Sequence, residues 1–180
     1  RPSPILSILE STMTLSMYQA SVPVFVRALG NLSNILKKAQ AHAEQHKIDP
    51  SVLLDSHLYP NMFPLKRQVQ IAADMVNGGV ARLAGVERPV HEDKETTFEQ
   101  LQQRIRKTID FAESIKPEQI DGSEAKSISL TIGGNELQFL GLPYLLGFVT
   151  PNVYFHTVTA YDILRHNGVE LGKPDFIGGV

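Results

Sequence analysis

Thr150-Pro151-Asn152-Val153-Tyr154-Phe155-His156-Thr157-Val158-Thr159-Ala160-Tyr161-Asp162-Ile163-Leu164-Arg165-His166-Asn167-Gly168 reads as a helix with both ends marked. Thr150 is of the N-cap type, and Pro151 suits the first helical position, where a missing N–H is no loss. Asn167-Gly168 supplies a left-handed stop. Plotted at 100° per residue, the segment has one apolar face, centred on Val153, Thr157, Ala160 and Leu164. A helix with one apolar face needs other helices to cover it.

The chain upstream provides them. Tyr18, Val22, Phe25, Leu29, Leu32, Leu36, Ala39 and Ala43 recur at spacings of four and three, the seam of a long helix. Pro23 lies inside it, so the regular helix starts near Ser21 with Ser21 as cap, or it kinks there. Val52-Leu53-Leu54 suits a short helical turn. A second seam runs Leu65, Val69, Ala72, Val76, Val80, Leu83, with Gly78-Gly79 allowing a neighbour to approach closely. Thr97-Phe98-Glu99-Gln100 is a capping box opening a third seam through Leu101, Ile105, Thr108, Ala112 and Ile115. The period then changes to two: Ile128, Leu130 and Ile132, a Gly133-Gly134-Asn135 turn, then Leu137 and Phe139. That is a β-hairpin. Gly141 to Val149 is an apolar connector into the last helix. The predicted fold is mainly α, a four-helix bundle with a β-hairpin inserted between bundle helices 3 and 4.

The composition excludes several function classes. The net charge is −2 and the 17 basic residues form no run, which argues against nucleic acid as a partner. The absence of cysteine excludes disulfides, thiolate nucleophiles and thiolate metal sites, and fits a cytoplasmic location. No apolar stretch approaches the ~20 residues that span a bilayer. Residues 1–12 are taken as an N-terminal extension, with Met13 as the native start and residues 13–177 as a single domain.

His156 lies at the edge of the last helix's apolar face, beside Ala160 and Ile163, with Asn152 one turn earlier. Side chains at i and i+4 can point at one ligand or metal. The other reading is a partly buried histidine bonded to a neighbouring helix. His57 precedes the second helix, in a loop that is either plain surface or the bundle mouth. His42 and His46 read as a solvated helix end, and His91 and His166 as exposed. Asp74 either pairs with a base on a neighbouring helix or faces solvent. No His-Glu-x-x-His, Gly-x-Ser-x-Gly or phosphate-loop pattern is present. Tyr59, Phe63, Phe139, Tyr144, Phe148, Tyr154, Phe155 and Tyr161 gather around the hairpin and last helix, as core or as the lining of an apolar pocket.

Several segments carry a resemblance: Met17 to Phe25, Met62-Phe63-Pro64-Leu65 with Gln68-Val69, Ala81 to Glu87, Tyr154-Phe155-His156 through Gly168, and Leu171 to Phe176. Over nearly the whole chain it resembles a family of uncharacterised bacterial proteins, a domain of unknown function within the DinB/YfiT-like four-helix-bundle superfamily. That resemblance implies a bundle with a long crossover, often dimeric. Better-known members of the superfamily are thought to bind a divalent metal through three histidines, one from helix 2 and two from helix 4 upstream of a Leu-Arg pair. Here Leu164-Arg165 follows His156, but the residue one turn earlier is Asn152. The helix 2 position near Phe63-Pro64-Leu65 holds no histidine, and His57 is the nearest. Asn61 stands where the closer family has Asp.

The expected function is therefore a non-catalytic small-molecule-binding or stress-associated homodimer. Its contact would come from the apolar hairpin and the Leu142 to Val149 connector. Tyr59, Phe63, Asn152, Phe155 and His156 would surround a small apolar or thiol-containing molecule. No cofactor is expected. The alternative is a DinB-like transferase or hydrolase acting on a small thiol or its conjugates. It would use a degenerate zinc or nickel site at His57, Asn152 and His156, with His156 as ligand or general base and Tyr161 as a supporting donor.

Overall fold

The computed structural model describes residues 15–179; the predicted extension, residues 1–12, and Met13 lie outside them. Helix α1 runs Val22–His46 and buries the whole predicted seam from Val22 to Ala43, with Ile35 added. Pro23 sits in its first turn, so the helix begins there without a kink. Ser21 holds the N-cap position as expected, but its side chain makes no capping bond: its hydroxyl donates to the Met17 carbonyl at 2.7 Å. Lys47, in the left-handed region, ends the helix. Asp49 then caps the short α2, Pro50–Leu54, by accepting from the Ser51 N–H at 2.8 Å.

A loop over 55–64 leads into α3, Leu65–Ala84. The crossover 85–97 returns the chain to α4, Phe98–Ser114. The predicted capping box opens α4: Gln100 N–H donates to Thr97 Oγ1 at 3.2 Å, and Thr97 N–H donates to Gln100 Oε1 at 3.2 Å. After the single turn α5, Pro117–Ile120, strands β1, Ser127–Ile132, and β2, Asn135–Leu140, pair antiparallel with Ile128 opposite Phe139 and Leu130 opposite Leu137. Gly133 and Gly134 both have positive φ, which the two-residue turn requires. A lone hairpin is marginal in water; this one lies on the bundle through Ile128, Leu130 and Phe139.

The segment read as a connector is helical throughout. Helix α6, Gly141–Tyr144, passes through a π turn, Leu145–Val149, directly into α7, Thr150–His166. Thr150 is consequently inside a helix and caps nothing; its N–H donates back to the Leu145 carbonyl, and its hydroxyl is buried with no partner. Pro151 accounts for the wider turn. It has no N–H to give, and its ring crowds the carbonyl four residues back, so the preceding turn opens. At the far end Gly168 takes the positive φ that stops the helix, and Val169 N–H reaches the Leu164 carbonyl at 3.1 Å.

Helix α3 packs on α4 and α7, and α1 on α4 and α7, which sets α1 and α3 on a diagonal of a four-helix bundle. Helix α3 meets the π turn backbone-first at Gly79, where a Cβ would stand 2.6 Å from Val149 Cγ1. Helix α8, Lys173–Ile177, lies along α1. Among the described residues no helix is long and apolar enough to cross a membrane.

Candidate functional site

His156 is buried at 8% exposure, on the side of α7 that faces α3. Its Nδ1 is 2.7 Å from Gln68 Oε1. Gln68 Nε2 in turn donates to the Phe63 carbonyl at 2.9 Å. That second bond orients the amide, because a carbonyl can only accept. Gln68 therefore presents its oxygen to the imidazole, and the proton of neutral His156 sits on Nδ1. Nε2 keeps its lone pair and forms no hydrogen bond among the described residues. Burial holds the His156 pKa below the usual imidazole value, and the nearby charge of Arg67 lowers it further. The geometry is a neutral imidazole with one nitrogen engaged and one available.

Its surroundings divide the predicted residues. Phe155, 58% exposed, sets its ring edge-on to His156 at 5.2 Å. Phe63, 56% exposed, contributes its carbonyl and carries the Arg67 guanidinium 5.9 Å above its ring. Tyr59 and His57 are exposed on the 55–64 loop. Asn152 gives its amide N–H to the Phe148 carbonyl at 2.7 Å, inside the π turn. Tyr161 packs its ring against Phe176 at 6.2 Å; five residues beyond His156, it points about 140° away around the helix. The remaining aromatic residues form two groups. Phe139, Tyr144 and Phe148 cluster with centroids 5.3 to 5.8 Å apart, Tyr144 stacked on Phe148 and Phe139 tilted against both, and Tyr154 joins Tyr161 around Phe176.

A polar network that sequence reading touched only at Asp74 lies between α3 and α4. Arg104, 2% exposed, reaches Asp74 at 2.8 Å, Asp93 at 2.7 Å and Glu95 at 2.9 Å. Arg67 also bonds Asp93, at 2.6 Å, and Gln70 bonds Glu95 at 2.9 Å. Burial opposes ionisation of Asp93 and Glu95, but the guanidinium contacts outweigh it and both stay below their ordinary pKa. His91 is half-buried rather than exposed: its Nε2 meets the Asn77 amide at 3.3 Å. Asp93 and Glu95 stand in the charged crossover, and nothing local in the sequence ties them to an arginine on α4.

A pocket of about 320 Å³ opens on the opposite side of α7 from Gln68, between α1, α7 and α8. Ala28, Leu32 and Ile35 form one wall; Tyr154, Phe176 and Ile177 form the other. Asn31 Nδ2 donates to the Phe176 carbonyl at 3.0 Å, and Arg27 Nε donates to the Ile177 carbonyl at 3.2 Å. These bonds hold α8 over the opening.

With this fold and this helix-3 to helix-7 contact in view, residues 17–177 match the family described as Domain of unknown function (DUF1993). The chain belongs to the DUF1993 family. A crystal structure of a DinB family member from Shewanella denitrificans is 42% identical in sequence and superposes with a TM-score of 0.82. The match covers 91% of this chain and 92% of that one. The fold of this DUF1993 chain is thus DinB-like. No curated protein matches it.

The three-histidine metal set implied by the superfamily does not fit the side chains of this DUF1993 protein. Asn152 is held by a backbone carbonyl, His57 is on an exposed loop, and His156 alone faces α3. Among the described residues no group of three His, Cys, Asp or Glu is placed to hold a metal ion.

Proposed function

We propose that this protein is a non-catalytic bundle that binds a small apolar molecule and acts as a homodimer in the cytoplasm. The observation that supports binding is the pocket between α1, α7 and α8, about 320 Å³ with aromatic and aliphatic walls. Concave, mostly apolar sites with few polar groups take apolar ligands. Of its polar side chains, Thr157 Oγ1 donates to the Val153 carbonyl at 2.9 Å, and Arg27 and Asn31 donate to carbonyls of α8. Toluene is the test ligand, followed by NMR. Shifts of the Tyr154 and Phe176 ring signals that saturate, and that vanish in Ala28→Phe, support the reading. Binding unaffected by Ala28→Phe would remove it.

The support for a dimer is a line of exposed side chains along α6 and α7: Leu142, Leu146, Pro151, Phe155 and Val158. Their spacings are four, five, four and three. The extra residue of the π turn keeps the stripe in register where a plain α-helix would rotate it away. Sedimentation equilibrium at micromolar concentration should give twice the chain mass, and Leu146→Glu should return the monomer. A monomeric parent protein contradicts the proposal.

One observation favours the second reading, a transferase or hydrolase of small thiols. Neutral His156 offers Nε2 as a base, with the Phe155 ring edge-on to the imidazole. One equivalent of zinc or nickel per chain, lost on His156→Ala, would move that reading ahead.

A further inference from the structure

Tyr144 is 1% exposed, and its hydroxyl accepts a hydrogen bond from Arg82 Nη1 at 3.1 Å. The phenol's own proton has no acceptor among the described residues. Arg88, from the crossover, converges on the same point: both Arg82 and Arg88 pack over Gly78, where a Cβ would stand 2.5 Å from Arg82 Nη1 and 3.6 Å from Arg88 Cδ. Neither guanidinium forms an ion pair among the described residues. Arg67 and Arg104, by contrast, both hold carboxylates. Arg82, Arg88 and Tyr144 line a pocket of about 200 Å³ between α3, β1 and the π turn, whose other walls include Met75, Leu130 and Phe148.

Two guanidiniums that hold no carboxylate, and a phenol proton with no acceptor among the described residues, call for an anion. The apolar walls call for a carbon body attached to it. Asp74 also lines the pocket, its carboxylate bonded at 2.8 Å to an Arg104 that it shares with Asp93 and Glu95, so the two guanidiniums of the pocket face one partly countered carboxylate. A single negative charge with planar oxygens matches a guanidinium fork and tolerates Asp74 better than a dianion does. We propose that this pocket binds a small organic monocarboxylate, with its headgroup on Arg82, Arg88 and the Tyr144 hydroxyl and its apolar body against Met75, Leu130 and Phe148. The site is separate from the α1–α8 pocket, and either can fail without the other.

Hexanoate is the probe, titrated into the full chain by NMR, with hexan-1-ol, hexylamine and hexyl phosphate as comparison arms. Hexanoate should shift Gly78, Gly79 and the Tyr144 ring, and bind at least about tenfold more tightly than hexan-1-ol. Arg88→Gln should weaken hexanoate about tenfold with an unchanged Tm, because Arg88 is a surface residue. Gly78→Ala, which displaces the Arg82 guanidinium without removing its charge, should weaken it as well. Equal affinity for hexan-1-ol or hexylamine overturns the proposal. So does wild-type affinity in Arg88→Gln and Gly78→Ala together, or shifts confined to Tyr154 and Phe176. Tighter binding of hexyl phosphate than of hexanoate overturns the assignment to a carboxylate.

Discussion

Neutral His156 has one tautomer imposed by two neighbours. The Phe63 carbonyl orients Gln68, and Gln68 places the imidazole proton on Nδ1. Burial, then Arg67, lowers the pKa, so the unfolded chain takes up the proton at higher pH than the folded chain does. The stabilising contribution is fully present above the unfolded value of about 6.5 and is lost as pH falls through the folded one. His91 acts with the same sign, its pKa lowered by burial first and by Arg104 second. Urea midpoints should therefore fall as pH drops below about 6.5. His156→Phe should flatten part of that slope, and His156→Phe with His91→Phe most of it. A wild-type midpoint constant from pH 7 to 5.5 would contradict this. The sequence put His156 at the edge of an apolar face, which is where it lies. It carried no sign that Gln68, eighty-eight positions away, would be its partner.

At the scale of elements, the capping box whose partners lie three residues apart was legible. Thr97 with Gln100 forms as its local chemistry demands. Thr150-Pro151 has the same local chemistry and a different outcome, because Gly141 to Val149 is already helical and buries Leu145 and Val149 against the core. Burial of those side chains outweighs what a cap would contribute, about 1 kcal/mol. Thr150→Val discriminates the two situations. A cap would lose about 1 kcal/mol. Thr150 instead has a buried hydroxyl without a partner, so Thr150→Val should be neutral or stabilising in thermal and urea melts. A loss of 1 kcal/mol or more would restore the cap reading.

For the whole molecule, the Arg104 network is the joint between the crossover and the bundle. Asp93 and Glu95 come from the crossover, Asp74 from α3 and the arginine from α4. Removing the cation leaves carboxylates gathered around an empty position. Arg104→Met should cost about 3–5 kcal/mol in urea unfolding, the usual consequence of breaking a buried ion pair from one side. Acid should weaken the same joint. Asp93 and Glu95 are held below their ordinary pKa, so their contribution is present above about pH 4.5 and lost as pH falls through their folded values. Arg104→Met should abolish that acid-sensitive step; an Arg104→Met protein as stable as the parent would show that the network contributes nothing net.

Periodicity alone determined the four long helices, the hairpin and which side of each is buried, because hydrophobic burial acts on every turn of a seam and does not depend on which neighbour covers it. Tertiary structure alone decided the continuity of α6 with α7, the Gln68–His156 bond, the gathering of three carboxylates on Arg104 and the convergence of Arg82 and Arg88 on Tyr144. Each of these is a contact between single polar groups or a single turn on different elements. Such contacts depend on the rotation and rise of one helix against another, and no repeating pattern in the chain records those.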